Sequence, residues 1–261
     1  MDKEKLNYYT QYYFANDIPV PFKTKFNNYV LYIKPVTVQL YPFYHDNVGI
    51  LRINKNQISD ARIIQMSYLQ YLIEQVLTSD SSYQQMLITI LNISFTEEFT
   101  FSVGYDDKNK VYLAFNKGEQ TITRISAKEF DKISEIILFY NNRDYDDRYI
   151  SEDLRKVMND YYDLKFKNQT IPTLEEKKAF VTYKTGLSMS NLNQMSYRNF
   201  ELIYNIAVNN DVFFSQRILQ ASEKYKVEDL VYPLFKKKET PFSFLQDAKQ
   251  FENKVSKAAQ G

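Results

Sequence analysis

The chain has 261 residues, with 33 basic and 32 acidic side chains, one His, no Cys and no Trp. That length and a 44% hydrophobic content suit one large globular domain or two small ones, while the missing Cys closes disulfide, thiolate and zinc-finger chemistry and a lone imidazole closes sites built on several histidines. What departs from average is the aromatic content, 16% of the chain with 23 Tyr and 19 Phe, set against only 5 Gly.

Residues 1–17 are polar and rich in Tyr. Ile18-Pro19-Val20-Pro21-Phe22 follows them and reads as an extended segment, because its two prolines remove amide donors and disfavour helix. Residues 1–22 are therefore expected to form an N-terminal arm that needs a surface to lie on. Residues 29–33 and 36–40 alternate with period two, and Pro35 between them predicts two short strands or one interrupted edge strand. Ser59 is placed to cap a helix over 60–78, and Tyr83, Met86, Leu87, Ile90 and Leu91 give a second helix that completes a helical hairpin.

From Phe99 the period changes to two, with Phe99, Phe101 and Val103, then Val111, Leu113 and Phe115, then Ile122 to Ile125, a meander of three strands. Asp106-Asp107-Lys108-Asn109 and Asn116-Lys117-Gly118 supply its turns. Ser126 and Glu129 have capping-box spacing and open a helix through Phe130, Ile133, Ile136, Ile137 and Tyr140 that can cover one face of the meander. After a polar linker everything reads helical. Ser151 precedes one helix, Thr173 and Glu176 open another that ends at Gly186, Ser188 starts a short turn of helix, and Ser196 begins the next with Phe200, Ile203 and Tyr204. A further helix carries Phe214, Ile218 and Leu219, and a charged C-terminal helix starts at Thr240.

The expected fold class is α+β: short antiparallel strands, a helical hairpin and a three-stranded meander in the N-terminal part, then an all-helical bundle. The expected division is an α+β domain over 23–142, a helical domain over 150–235 and a terminal helix over 240–261.

Few chemistries remain open. Gly49, Gly104, Gly118, Gly186 and Gly261 are too scattered for a dinucleotide or phosphate-cradling loop. His45 lies in Tyr41-Pro42-Phe43-Tyr44-His45-Asp46 and reads as a turn or packing residue. Asp144-Tyr145-Asp146-Asp147 lacks the spacing of a calcium loop and reads as a solvated turn. Lys236-Lys237-Lys238 is the only basic run. No catalytic, cofactor-binding or metal-ligating residue is assigned, and the chain is read as not an enzyme. Near-zero net charge argues against general affinity for nucleic acid, and the absence of a long apolar stretch argues against a membrane span. The segment 173–209 nevertheless invites a helix-turn-helix reading, with Ser196-Tyr197-Arg198-Asn199 at the start of a recognition helix. The Tyr surplus suits protein interfaces, since Tyr joins a rigid contact area to a polar handle.

Five stretches of the chain carry a family resemblance. Ile18-Pro19-Val20-Pro21-Phe22-Lys23 with Leu31-Tyr32-Ile33-Lys34-Pro35-Val36 resembles the opening of tail-morphogenesis proteins of phages that infect low-GC bacteria. Pro172-Thr173-Leu174-Glu175-Glu176, Thr185-Gly186-Leu187-Ser188 and Met195-Ser196-Tyr197-Arg198-Asn199-Phe200 are similar to the late helical part of phage tail assembly chaperone-like proteins. The resemblance implies a factor that acts by protein–protein contact in the host cytoplasm, with phage tail tube, tape-measure or baseplate proteins, or further copies of itself, as partners. On this reading Ile18, Pro19, Val20, Pro21, Phe22, Tyr197, Arg198 and Phe200 are the expected interaction residues. A structural component of the tail or baseplate, present in the virion, is the first alternative, and a helix-turn-helix regulator the second.

Overall fold

The computed structural model describes residues 3–53, 60–142, 172–221 and Tyr232. The chain is α+β, with a two-stranded and a three-stranded antiparallel sheet and a mostly helical C-terminal region. Contacts group it into two compact units, Met1–Tyr204 and Asn205–Gly261.

The first unit opens with helix α1 (Lys3–Tyr12), which the polar, Tyr-rich sequence did not announce, and a 3₁₀ turn (Phe14–Asn16) that buries Phe14. The arm expected over 1–22 is therefore a helix, a turn and a strand rather than a free extension. Strand β1 (Val20–Lys23) pairs antiparallel with β2 (Val30–Ile33), with Val20 opposite Ile33 and Phe22 opposite Leu31. Residues 36–40 do not form the expected strand: their ladder is a single isolated bridge, Thr37 to Ser196. Leu40 leads instead into α2 (Tyr41–Asn47), where Pro42 sits in the first turn, the place a helix tolerates it.

The expected helix over 60–78 is broken. Ser59 lies outside the described residues, and Asp60 caps α3 (Ala61–Gln65) by accepting from the Arg62 amide. Met66 is extended and Ser67 starts afresh, its Oγ accepting from Gln70 N at the head of α4 (Tyr68–Tyr71), which runs into a π turn (Leu72–Val76). A hydroxyl that can hydrogen-bond the backbone locally offers the chain an exit from the helix, and Ser67 takes it. Asp80 caps α5 (Ser81–Ser94).

The meander is as expected: β3 (Thr100–Tyr105), β4 (Val111–Lys117) and β5 (Gln120–Ser126) lie in the order β3-β4-β5. Asn109 (φ 55°) and Gly118 (φ 59°) supply the left-handed turn residues. Ser126 and Glu129 form the capping box of α6 (Ala127–Asn141), whose Phe130, Ile133, Ile136 and Ile137 are buried. Much of the Phe surplus sits in this core, where Phe95, Phe99 and Phe101 meet Phe115 edge-on at centroid distances of 5.2, 5.3 and 5.1 Å.

In the helical region, Thr173 and Glu176 cap α7 (Leu174–Thr185), and Gly186 (φ 71°) ends it in the left-handed conformation. Ser188 caps α8 (Met189–Gln194). The two helices expected after Ser196 are one, α9 (Tyr197–Ala221). A small second core joins Val181 of α7, Leu192 of α8 and Phe200 of α9 to Val38. In the second unit, Phe213 meets Tyr232 edge-on, and Val212, Phe214, Ile218 and Leu219 are exposed. The acidic run at 144–147, the helix expected after Ser151, the Lys236-Lys237-Lys238 run and the helix from Thr240 lie outside the described residues.

Candidate functional site: the open edge of the meander

The residues expected to make contacts have other work within the fold. Val20 is fully buried, Pro19 and Phe22 are half-buried, and only Ile18 and Pro21 stay exposed. The Ile18 carbonyl accepts from Tyr140 Oη at 2.8 Å. At the head of α9, Phe200 is fully buried, and the Arg198 guanidinium donates to the Phe139 carbonyl at 2.8 Å and lies over the Phe14 ring. Tyr197 stacks on Tyr41 with planes 8° apart, and its hydroxyl donates to Glu201. Burial first, then that carboxylate, push the phenol far above its ordinary pKa. The backbone is committed too, with Tyr197 N donating to Val36 O at 2.8 Å and Val38 N to Met195 O at 2.9 Å. Ser196 N and the Asn199 side chain both donate to Asp17. The side chains that a recognition helix would offer to base edges hold the N-terminal part of the same unit instead.

A different surface emerges when the sheet edges are compared. Thr24 N donates to Tyr29 O, so Phe22 and Val20 point their backbone groups at β2 and Pro21 turns outward. Having no N–H, Pro21 blunts the β1 edge. The free side of β2 is closed by the Ile33–Phe95 bridge, with Lys34 N donating to Ser94 O and Thr96 N to Tyr32 O. The free side of β5 is covered by the β1–β2 loop, where Asn27 Nδ2 donates to Ile122 O at 2.8 Å and Thr24 Oγ1 meets Thr123 Oγ1 at 2.9 Å.

Strand β3 has no such cover among the described residues. Its sequence, Thr-Phe-Ser-Val-Gly-Tyr, contains neither Pro nor charge. Because Asp106 N donates to Lys110 O across the turn, the same alternation faces Gly104 and Ser102 toward β4 and leaves the N–H and C=O groups of Phe101, Val103 and Tyr105 pointing away from the sheet. Val103 is 43% exposed and Tyr105 48%, on the face that β4 uses for buried Leu113 and Phe115.

Beside the end of β3 lies a cleft of about 850 Å³, lined by the β1–β2 loop, the β3–β4 turn, β4, β5 and the first turn of α6. Its floor holds the Arg124 guanidinium between the rings of Phe26 at 4.9 Å and Tyr112 at 4.7 Å. Lys25, Lys110 and Lys128 add positive charge and Asp106, Asp107 and Glu129 negative charge. Two of these carboxylates are used locally: Asp106 accepts from the Lys108 and Lys110 amides, and Glu129 from Ser126 and from the Lys25 amide at 2.7 Å. Cation and ring faces side by side, next to an unpaired strand, can receive an extended polypeptide: its backbone on β3 and its side chains in the cleft. His45, the only imidazole, is exposed on α2 beside Asp46.

Sequence reasoning passed over this site. The absence of Pro and charge from residues 100–105 was visible, but which strand lies at an edge was not. No family model matches the chain, and neither a curated protein nor a solved structure shows significant similarity to it.

Proposed function

We propose that this protein acts by contact with other proteins, as a phage tail assembly chaperone-like factor that offers the open edge of β3 and the adjoining aromatic and cationic cleft to a partner polypeptide. One observation carries the contact reading: three sheet edges are closed by proline, by a bridge and by an asparagine side chain, while β3 keeps its outward amides and carbonyls free of partners among the described residues. Proteins ordinarily blunt such an edge, because it is a template for pairing. The setting in tail morphogenesis comes from the sequence patches around residues 18–36 and 172–200. The commitment of Tyr197, Arg198 and Asn199 to intramolecular partners weighs against the DNA-binding alternative.

Co-expression of the tagged chain with the tail tube, tape-measure and baseplate proteins of the same genome, followed by pull-down, tests the proposal. Capture of one of them by the wild type and its loss in Val103→Pro, which removes an outward amide, is the expected result. Failure to capture any tail protein overturns the tail-assembly reading. Mass spectrometry of finished virions then separates a chaperone, absent from particles, from a structural component.

A further inference from the structure

We infer that, until a tail partner displaces it, the occupant of the β3 edge is the β3 strand of a second copy, paired antiparallel about a two-fold axis through Val103; this rests on the contact reading above. The backbone groups that face outward belong to Phe101, Val103 and Tyr105, so an axis at the middle residue sets Val103 against Val103 and Phe101 against Tyr105 in a continuous ladder. Both strands then bring their exposed apolar side chains, Val103 and Tyr105, to the same face of a six-stranded sheet, where each covers the other. The strand contains no charge that would meet its own copy.

Charge outside the strand agrees with this register. Antiparallel pairing about Val103 brings the segment before β3, which carries Glu98, alongside the turn after β3 of the other copy, which carries Lys108. Glu98 and Lys108 are exposed. Lys117, by contrast, is already held by Glu97. The two-fold axis repeats the Glu98–Lys108 approach on both sides, so the ends of the strand attract where the opposite orientation would set Glu98 against Glu98. Two short edge strands make a small interface, for which a reversible, concentration-dependent dimer is expected.

Sedimentation equilibrium of the full chain between about 5 and 200 µM tests this. Wild type is expected to move from monomer to dimer. Val103→Lys and Val103→Glu, each placing like charges opposite one another, are expected to raise the dissociation constant at least about tenfold with unchanged circular dichroism, and an equimolar mixture of the two to dimerise again. Hydrogen exchange adds a readout of register: protection of the Phe101, Val103 and Tyr105 amides should rise with protein concentration. A wild type that stays monomeric throughout, a dimer indifferent to both charge variants, or protection of these amides already in the monomer overturns the inference. A monomer that still captures a tail protein through Val103 sinks self-pairing alone, whereas a dimer that captures none sinks the tail-assembly reading alone.

Discussion

The ring of Tyr112 lies directly over the α-carbon of Gly104, its partner across the β3–β4 ladder, and fills the space that a β-carbon there would need. The same ring forms one wall of the Arg124 sandwich, so the bare glycine lets β4 position a cleft residue. Gly104→Ala forces the ring aside and is expected to cost about 1–3 kcal/mol by overpacking. In a Tyr112→Ala background the same change should be neutral or slightly stabilising, since Ala is better than Gly in a strand interior by roughly 0.5–1 kcal/mol. Urea unfolding of the four proteins of this cycle reads the coupling, and equal costs in both backgrounds would contradict it.

Tyr140 ties α6 to the start of β1. It is fully buried, stacks on Phe14 at 4.5 Å and donates to the Ile18 carbonyl at 2.8 Å. Burial, with a smaller contribution from Asp17, raises its phenol well above the ordinary value, so it remains a donor across the physiological range. Tyr140→Phe is expected to lose about 1 kcal/mol and Tyr140→Ala about 3–5 kcal/mol. Similar losses from the two, measured by denaturant unfolding, would show that the ring contributes little.

Asn141, the last residue of α6, ties the same end of that helix to the segment after β2. Its Oδ1 accepts from Val36 N at 2.7 Å and its Nδ2 donates to Ile137 O at 2.8 Å, with the side chain buried. Asn141→Leu leaves the buried Val36 amide without its acceptor and is expected to cost about 1–3 kcal/mol. Val36 O also receives the Tyr197 amide, so hydrogen exchange at Tyr197 should accelerate in this variant; an unchanged rate would uncouple the two ends of the clasp.

Glu97, between α5 and β3, joins the end of the β1–β2 loop to β4 by accepting from Lys117 and from Tyr29 Oη at 3.1 Å. The Lys117 hydrogen bond, then that of Tyr29, hold its carboxyl below the usual range; Glu97 in turn holds the Lys117 ammonium above its own, while burial first and Glu97 second raise the Tyr29 phenol. A depressed carboxyl stabilises the fold fully above its unfolded pKa of about 4.3, and that stability is lost as pH falls through the lower folded value. The raised Lys117 acts in the opposite sense, contributing below about pH 10.4 and losing its effect as pH rises through its folded pKa. NMR titration of Glu97 should give a midpoint below that of a free glutamate in the wild type and a higher one in Lys117→Gln. Identical midpoints would mean that the pair is not formed in solution.

Whatever depends on a few neighbouring residues could be read in advance. The boxes at Ser126–Glu129 and Thr173–Glu176, the left-handed Gly118 and Gly186 and the alternation of the meander all use partners within a few positions, and their chemistry is written in order along the chain. What depended on remote partners was not legible. Residues 36–40 alternate like a strand but form a single bridge, to Ser196, and the Pro-flanked arm is drawn into a hairpin because β2 lies beside it. Residues 197–200 read equally well as a contact surface, and only folding turned them inward, toward Val36, Asp17, Phe139 and Tyr41. The alternation that betrays a strand says nothing about which strands become neighbours. Tertiary packing alone left β3 outermost and its amides unclaimed by the described chain, because pairing is decided by what lies alongside in space and not by what comes next in sequence.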